Sequence, residues 1–316
     1  MTETPSVDVI IPAADASASI GDAIDAVRAQ RYPNLGSIVV ATSDEATRRV
    51  AGDHGAIVIP NPTGTTPAGL NLALAATRAD YIARVDAHST IPVGYLRLAV
   101  EVLIDTGADN VGGMQVPVGR TIQERAIAAA MSSPIGAGNA RYRVGGAAGP
   151  TDTVYLGVFR RSTLERLGGY DERFERNQDY ELNHRIRESG GLIWFDPRIR
   201  VLYRPRGSFL ALARQYFDYG RWKREFSRRH PGNLRWRQVA APLLVVLLTA
   251  SVVIGLFWRP AWLAFGGYAL VLIGAGLRES PRIGVAALVV PAALATMHLS
   301  WGLGFLFGRR GPSRKP

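Results

Sequence analysis

Between Val239 and Phe307 only four side chains carry a charge: Arg259, Arg278, Glu279 and Arg282. They divide the region into apolar tracts at 239–258, 261–277 and 283–307. The first has about the twenty residues that a helix needs to cross a bilayer core. A buried hairpin of core helices is the competing reading. A soluble domain of this size does not need so much uncharged helix, so 238–308 is expected to be a transmembrane region of two or three helices.

Just upstream the composition reverses. Residues 198–237 hold twelve Arg or Lys against two acids, Asp218 and Glu225, which is nearly the whole formal charge of +11. A basic run that leads straight into apolar segments suits an anionic membrane surface better than nucleic acid, and no nucleic-acid partner is expected. Phe209, Leu212, Tyr216, Phe217 and Trp222 interleave with Arg214, Arg221, Lys223 and Arg224. Residues 206–237 therefore read as an amphipathic helix lying at the interface. The cationic excess predicts an integral membrane protein whose N-terminal domain faces the cytoplasm. With three spans, the basic tail at 309–316 (Arg309, Arg310, Arg314, Lys315) would leave on the other side, and a re-entrant third segment resolves that conflict. The absence of Cys excludes disulfides and thiolate-metal sites. The first five residues lack the basic and apolar regions of a signal peptide, so no cleaved leader is expected.

Residues 1–205 have the pattern of a separate α/β domain. Val7-Asp8-Val9-Ile10-Ile11, ending at Pro12, predicts a buried first strand. Helical spacing follows over 19–30, with Ser19 as N-cap, and further strands are expected at 37–41 and 56–59. The turn-rich Pro60-Asn61-Pro62-Thr63-Gly64 precedes a helix over 68–76 and a fourth strand over 81–85. Such alternation predicts a doubly wound, mostly parallel sheet that binds ligand at the carboxyl ends of its strands. Pro12, Asp44, Asn61 and Asp86 all fall at or just beyond such ends. The Gly-, Ala- and Ser-rich stretch at 122–150 reads either as a mobile loop over a ligand or as a plain connector. A strand over 153–160, a short helix from Ser162 and a helix within 174–187 complete the domain, with a further strand pattern from Leu192.

Two motifs carry chemistry. In Arg84-Val85-Asp86-Ala87-His88, a continuing strand would put Asp86 and His88 on one face, where carboxylate and imidazole suit Mn²⁺ or Mg²⁺ on a nucleotide diphosphate. The competing reading is a strand-end Asp that caps a turn. In Asn177-Gln178-Asp179-Tyr180-Glu181, Asp179 falls in the first turn of a helix, where the dipole favours a carboxylate. Opposite a metal-diphosphate site it would take a proton from an attacking hydroxyl.

The order Val9-Ile10-Ile11-Pro12, Ser43-Asp44, Asn61-Pro62-x-Gly64, Gly69-x-Asn71-x-Ala73, Arg84-Val85-Asp86-Ala87-His88, Gly168-Gly169-Tyr170-Asp171-Glu172 and Asn177-Gln178-Asp179-x-Glu181 resembles family 2 glycosyltransferases. The nearest type is the membrane-bound, succinoglycan-type enzymes that extend lipid-linked sugars in exopolysaccharide assembly. The resemblance spans about 7–225 and the membrane segments. It implies a GT-A fold, an inverting mechanism, a nucleotide-diphosphate sugar donor, a lipid-linked glycan acceptor and a divalent metal. It makes Asp86 and His88 the metal ligands, with His88 where a second Asp is commoner, and Asp179 the catalytic base, with Gln178 in place of the preceding Glu. Pro12, Asp44, Asn71, Arg84 and Asp86 become the substrate-binding residues. The family commonly has an Asp directly after the second strand to contact the base. Here that place reads Val40-Ala41-Thr42-Ser43, so the nucleotide is left open. Gln215 with Arg221-Trp222 matches the QxxRW signature of processive relatives too loosely in spacing to imply processivity. Two alternatives are a polyprenyl-phosphate sugar synthase, which needs no base, and a catalytically silent membrane scaffold.

Overall fold

The structure is a computed structural model that describes residues 4–233 and 236–308; the basic tail at 309–316 lies outside the described residues. Among the described residues the chain forms two compact units, 4–116 with 145–203, and 117–144 with 204–233 and 236–308.

The first unit is built on strands β1 (Val7–Ala13), β2 (Leu35–Thr42), β3 (Ile57–Pro60), β4 (Tyr81–Arg84), β5 (Asn110–Pro117), β6 (Gly149–Pro150), β7 (Tyr155–Arg160) and β8 (Ile193–Tyr203), in the order β3-β2-β1-β4-β7-β5-β8-β6. The pairs β3–β2, β2–β1 and β1–β4 are parallel, whereas β4–β7, β7–β5 and β8–β6 are antiparallel. The sheet is thus mixed, and its parallel character is concentrated in the first four strands. Helices α1 (Ile20–Arg28), α2 (Glu45–Asp53), α3 (Thr66–Ala75) and α4 (Tyr95–Thr106) connect the parallel part.

Alternation along β1 explains the double winding. Val7, Val9 and Ile11 enter one apolar cluster with Ile20, Ile24 and Val27 of α1 and Leu96, Ala99 and Leu103 of α4. Ile10 enters the opposite cluster with Leu70 and Ala73 of α3. A period of two places successive side chains on opposite faces, so each face needs its own helical cover. Asp8 is the polar exception. Its buried carboxylate accepts from the backbone N–H groups of Ser37 at 2.6 Å, Arg78 at 2.7 Å and Ala79 at 2.9 Å. Charge-assisted bonds of this kind fasten β1 to the entry of β2 and to the approach to β4.

The second unit is helical. The stretch at 122–150, expected as a loop, instead contains α5 (Ile122–Ser132) and the short α6 (Pro134–Ala137) and α7 (Arg141–Val144). A capping box starts α5: Thr121 accepts from Glu124 N–H, and the Glu124 carboxylate returns to Thr121 N–H. The alanines that suggested a loop are the strongest helix formers once a cap is present. In the first unit, α8 (Arg161–Arg166) and α9 (Gln178–Glu188) follow β7. The second unit resumes with α10 (Phe209–Arg229), α11 (Trp236–Gly255), α12 (Leu263–Ile283) and α13 (Val290–Phe307).

Helix α10 is not bare amphipathic surface. Its Leu212, Tyr216, Trp222 and Phe226 are buried, and it packs along α13 at glycines. A methyl group added at Gly220 would collide with the carbonyl of Trp301, and one at Gly304 with the carbonyl of Phe217. Small residues at such crossings let two backbones touch, the usual route to tight helix pairs in apolar surroundings. Two stretches, Gln238–Gly255 and Arg259–Phe307, contain helix long and apolar enough to cross a membrane.

Candidate functional site

Strand β4 ends at Arg84, and the chain turns at once: Ser89 N–H donates to the Asp86 carbonyl at 2.9 Å. Asp86 and His88 therefore do not share a strand face, and that part of the sequence argument is corrected by the turn. The pair that does converge is Arg84 and Asp86. Arg84 Nη2 donates to Asp86 Oδ1 at 2.8 Å, while Nη1 pairs with Asp179. One guanidinium thus joins the acid after the fourth strand to the acid that opens α9. Arg84 is 6% exposed, and the side chains of Asp86 and Asp179 are 31% and 39% exposed. Burial, the largest single influence, works against the charge on Arg84, but the Asp86 carboxylate, Tyr170 and Tyr155 together hold the pKa above its ordinary value.

Local structure fixes Asp179. Asn177 adopts the left-handed conformation with φ 61° as the N-cap of α9, a conformation that Asn tolerates better than most residues. The helix is then held against the preceding loop by Arg185, which pairs with buried Glu181 at 2.7 Å and donates to the carbonyls of Leu167 at 2.7 Å and Gly169 at 2.8 Å.

Three aromatic hydroxyls lie in the field of Asp86. Burial, with the Asp86 charge adding to it, raises the pKa of Tyr95 and of Tyr155. Tyr170 is pushed up to about 12, again chiefly by burial, with Arg84 opposing and Asp86 reinforcing. All three are neutral donors at ordinary pH. Tyr155 Oη lies 3.0 Å from Ser89 Oγ. Its neighbour Leu156 has φ 44°, and the register of β5 against β7 shifts between Val111 and Gly113. Such irregularities re-aim side chains at the rims of sites. Tyr170 Oη, Gln115 Oε1 and Arg84 Nε are buried without a hydrogen-bond partner among the described residues. Native interiors rarely leave such atoms orphaned, which makes these three candidates for contact with a bound ligand.

The other residues singled out by sequence fall into two groups. Pro12 is paired with Ala41 across β1 and β2, and Asp44 and Asn61 follow β2 and β3, so these three share the carboxyl edge of the parallel strands with Asp86. Asp44 is the N-cap of α2 and accepts from Ala46 N–H at 3.2 Å and Thr47 N–H at 3.0 Å. These bonds, that from the Thr47 hydroxyl first, hold its pKa below the usual carboxylate range. Asn61 donates to the Thr65 carbonyl at 2.9 Å and shapes its own loop. Asn71 is committed within the fold: it donates to the Tyr170 carbonyl at 2.9 Å and to Glu172 at 3.0 Å, and accepts from Tyr170 N–H at 2.8 Å. It positions Tyr170 rather than presenting a free amide to a substrate. Sequence reasoning gave no role to Tyr155, Ser89, Gln115 or Tyr170. Ser89 and Tyr170 sit beside or inside quoted motifs, whereas Tyr155 and Gln115 have no local signal, since strands distant in sequence from those motifs deliver them.

His88 is exposed, and its Nδ1 lies 3.0 Å from Ser19 Oγ, which leaves Nε2 to face outward. Among the described residues no group of three or more His, Cys, Asp or Glu side chains could hold a metal. Asp86 and His88, which the turn takes off a common strand face, would supply at most two ligands between them. That donor set fits Mn²⁺ or Mg²⁺, which take few protein ligands and complete an octahedron with substrate phosphates and water.

The sequence model described as "Glycosyl transferase family 2" matches residues 8–168. The chain is 31% identical to the succinoglycan biosynthesis protein ExoA of Rhizobium meliloti (strain 1021), over 96% of this chain and 95% of that protein. Among solved structures it is similar to the mannosyltransferase PcManGT from Pyrobaculum calidifontis, in complex with GDP-Man and Mn²⁺, with a TM-score of 0.62 and 19% identity over 98% of this chain and 89% of that one. S. aureus TarS 1-349 is similar at a TM-score of 0.51 and 13% identity, over 95% and 90%. At these identities the two structures speak for the fold, a GT-A sheet, and the family match and the full-length relative speak for the chemistry. The chain belongs to glycosyl transferase family 2 and is a glycosyltransferase.

Proposed function

We propose that the protein is an inverting transferase that moves a sugar from a nucleotide-diphosphate donor to a lipid-linked glycan acceptor at a membrane, in exopolysaccharide or cell-envelope synthesis. The observation that carries this reading is the convergence of Asp86 and Asp179 on Arg84. The donor diphosphate lies along the carboxyl edge of β1, β2 and β4, beside Pro12 and Asp44. A divalent ion held by Asp86 and His88 would neutralise the charge that builds on the departing diphosphate. Asp179 accepts the proton of the acceptor hydroxyl, whose oxygen bonds to the anomeric carbon as the bond to diphosphate breaks with its electron pair. Attack from the side opposite the leaving group inverts that carbon. Arg84 orients Asp179, and the neutral Tyr155 and Tyr170 offer O–H donors to a sugar or phosphate oxygen. Positive charge developing at the anomeric carbon resembles that in glycoside hydrolysis, and nearby carboxylates favour it.

The membrane half of the reading rests on the second unit. Phe257 and Leu288 are 89% and 81% exposed, far from the ordinary fate of large apolar side chains in water. Lipid around α11–α13 accounts for that exposure. The basic stretch before α11 supports a cytoplasmic side for the sheet unit, by the preference of cationic residues for that side.

The test is a donor screen. Membranes containing the protein, supplied with Mn²⁺ or Mg²⁺ and individual UDP- and GDP-sugars, are expected to transfer one of them and to stop when the metal is chelated. Asp86→Ala should abolish transfer. Transfer by Asp86→Ala at the wild-type rate would reject the site.

A further inference from the structure

The acids assigned to metal binding and to proton transfer are both engaged by one arginine. Arg84 reaches both, one guanidinium nitrogen to each, from a buried position at the last residue of β4. A cation beside Asp86 opposes the arrival of a second cation there, and Asp86 Oδ1 cannot keep a 2.8 Å bond to Nη2 while offering the same lone pair to a metal. The guanidinium has an alternative partner, because its planar fork matches phosphate oxygens as well as carboxylates. The Nε atom, buried without a partner, supplies a further unused donor.

We infer that Arg84 is a resident counter-cation that holds Asp86 and Asp179 until a divalent ion arrives together with a diphosphate, when it transfers its pairing from Asp86 to the diphosphate. Arg84 is then a positioning residue that couples the two ligands: metal alone binds poorly, diphosphate alone lacks its ion, and each favours the other. Asp179 stays paired throughout. The coupling gives an order of assembly in which the base becomes useful only once the donor is seated. The inference rests on the proposed role of Asp86 as a metal ligand, and its test separates the two.

The purified full-length protein in detergent is titrated with Mn²⁺, with bound ion read by electron paramagnetic resonance, first alone and then with inorganic pyrophosphate. For the wild type, weak binding of Mn²⁺ alone and strong tightening by pyrophosphate are expected. Arg84→Met should bind Mn²⁺ alone about tenfold more tightly or better, since a repelling charge at contact distance is gone, and should lose most of the tightening by pyrophosphate. Arg84→Lys keeps the charge but cannot span both acids, so it should fall between the two, and it decides the matter if Arg84→Met does not fold. Mn²⁺ affinity no higher in either variant than in the wild type would overturn the inference. Asp86→Ala is the control for the underlying reading: if it leaves Mn²⁺ binding unchanged, the metal site itself is wrong. If it abolishes binding while the Arg84 variants match the wild type, only the counter-cation role falls.

Discussion

The sheet unit keeps charge inside, whereas the helical unit leaves apolar surface outside. Around the end of β4, buried Arg84 and the half-buried Asp86 and Asp179 satisfy one another, and neutral tyrosines line the same place. Along α10 and α13 the equivalent precision comes from missing side chains, with Gly220 and Gly304 allowing backbone contact while Phe257 and Leu288 project outward. The contrast teaches where each kind of substitution should register. Polar changes in the sheet unit should register in chemistry or folding according to what the polar group touches. In the helical unit, steric changes should register in stability.

The largest separation is expected from Asp179→Asn, which should lower the turnover number by about 10³-fold, within the range for loss of a general base, and leave the melting temperature nearly unchanged. Turnover near wild type would favour an acceptor that needs no deprotonation, such as a lipid phosphate. Asp8→Ala sharpens the point from the other side. It removes an acid equally near in sequence to the site motifs but bonded only to Ser37, Arg78 and Ala79 N–H groups. Three buried donors left unpaired should cost about 3 kcal/mol or more of stability, measured by denaturant unfolding. A stable Asp8→Ala protein without activity would break the distinction between structural and chemical acids.

A change in the helical unit should be intermediate. Gly304→Leu forces α13 away from the Phe217 carbonyl, and overpacking of this kind costs about 1–3 kcal/mol. It should appear as a lower melting temperature in detergent, with Mn²⁺ affinity retained. The smallest effect belongs to Ser19→Ala. Loss of the Ser19 contact frees the His88 ring and should weaken Mn²⁺ binding in the presence of pyrophosphate by about tenfold or less. No change would leave Asp86 as the sole protein ligand.

How much the sequence disclosed follows the same division. Strands β1–β4 and helices α1 and α3 were legible because a period of two or 3.6 was locally complete. Strand β5 was not, since Gly112 and Gly113 interrupt its apolar run. The structure explains them by close approach, as added methyl groups would meet Val154 and Tyr155 at the one and Ile199 at the other. Helix α2 buries only Thr47 and Ala51, too narrow a stripe to stand out. The loop expected at 122–150 followed its glycine and serine content, whereas the capping box at Thr121 and Glu124 starts a helix there. In the site, the acids were legible as motif members. Their shared arginine partner was not, because the meeting of β4 with the start of α9 depends on contacts nearly a hundred residues apart, and no local pattern encodes it.

The account's central claim is that Asp86 and Asp179 serve a single reacting centre, and a double-mutant cycle on sugar transfer tests it most directly. Asp86→Ala, Asp179→Asn and the double variant are compared at saturating donor, acceptor and Mn²⁺. Strong non-additivity is expected, the double variant falling within about tenfold of the poorer single variant, as groups acting in one step do. Losses that multiply fully, as for two independent sites, would contradict it.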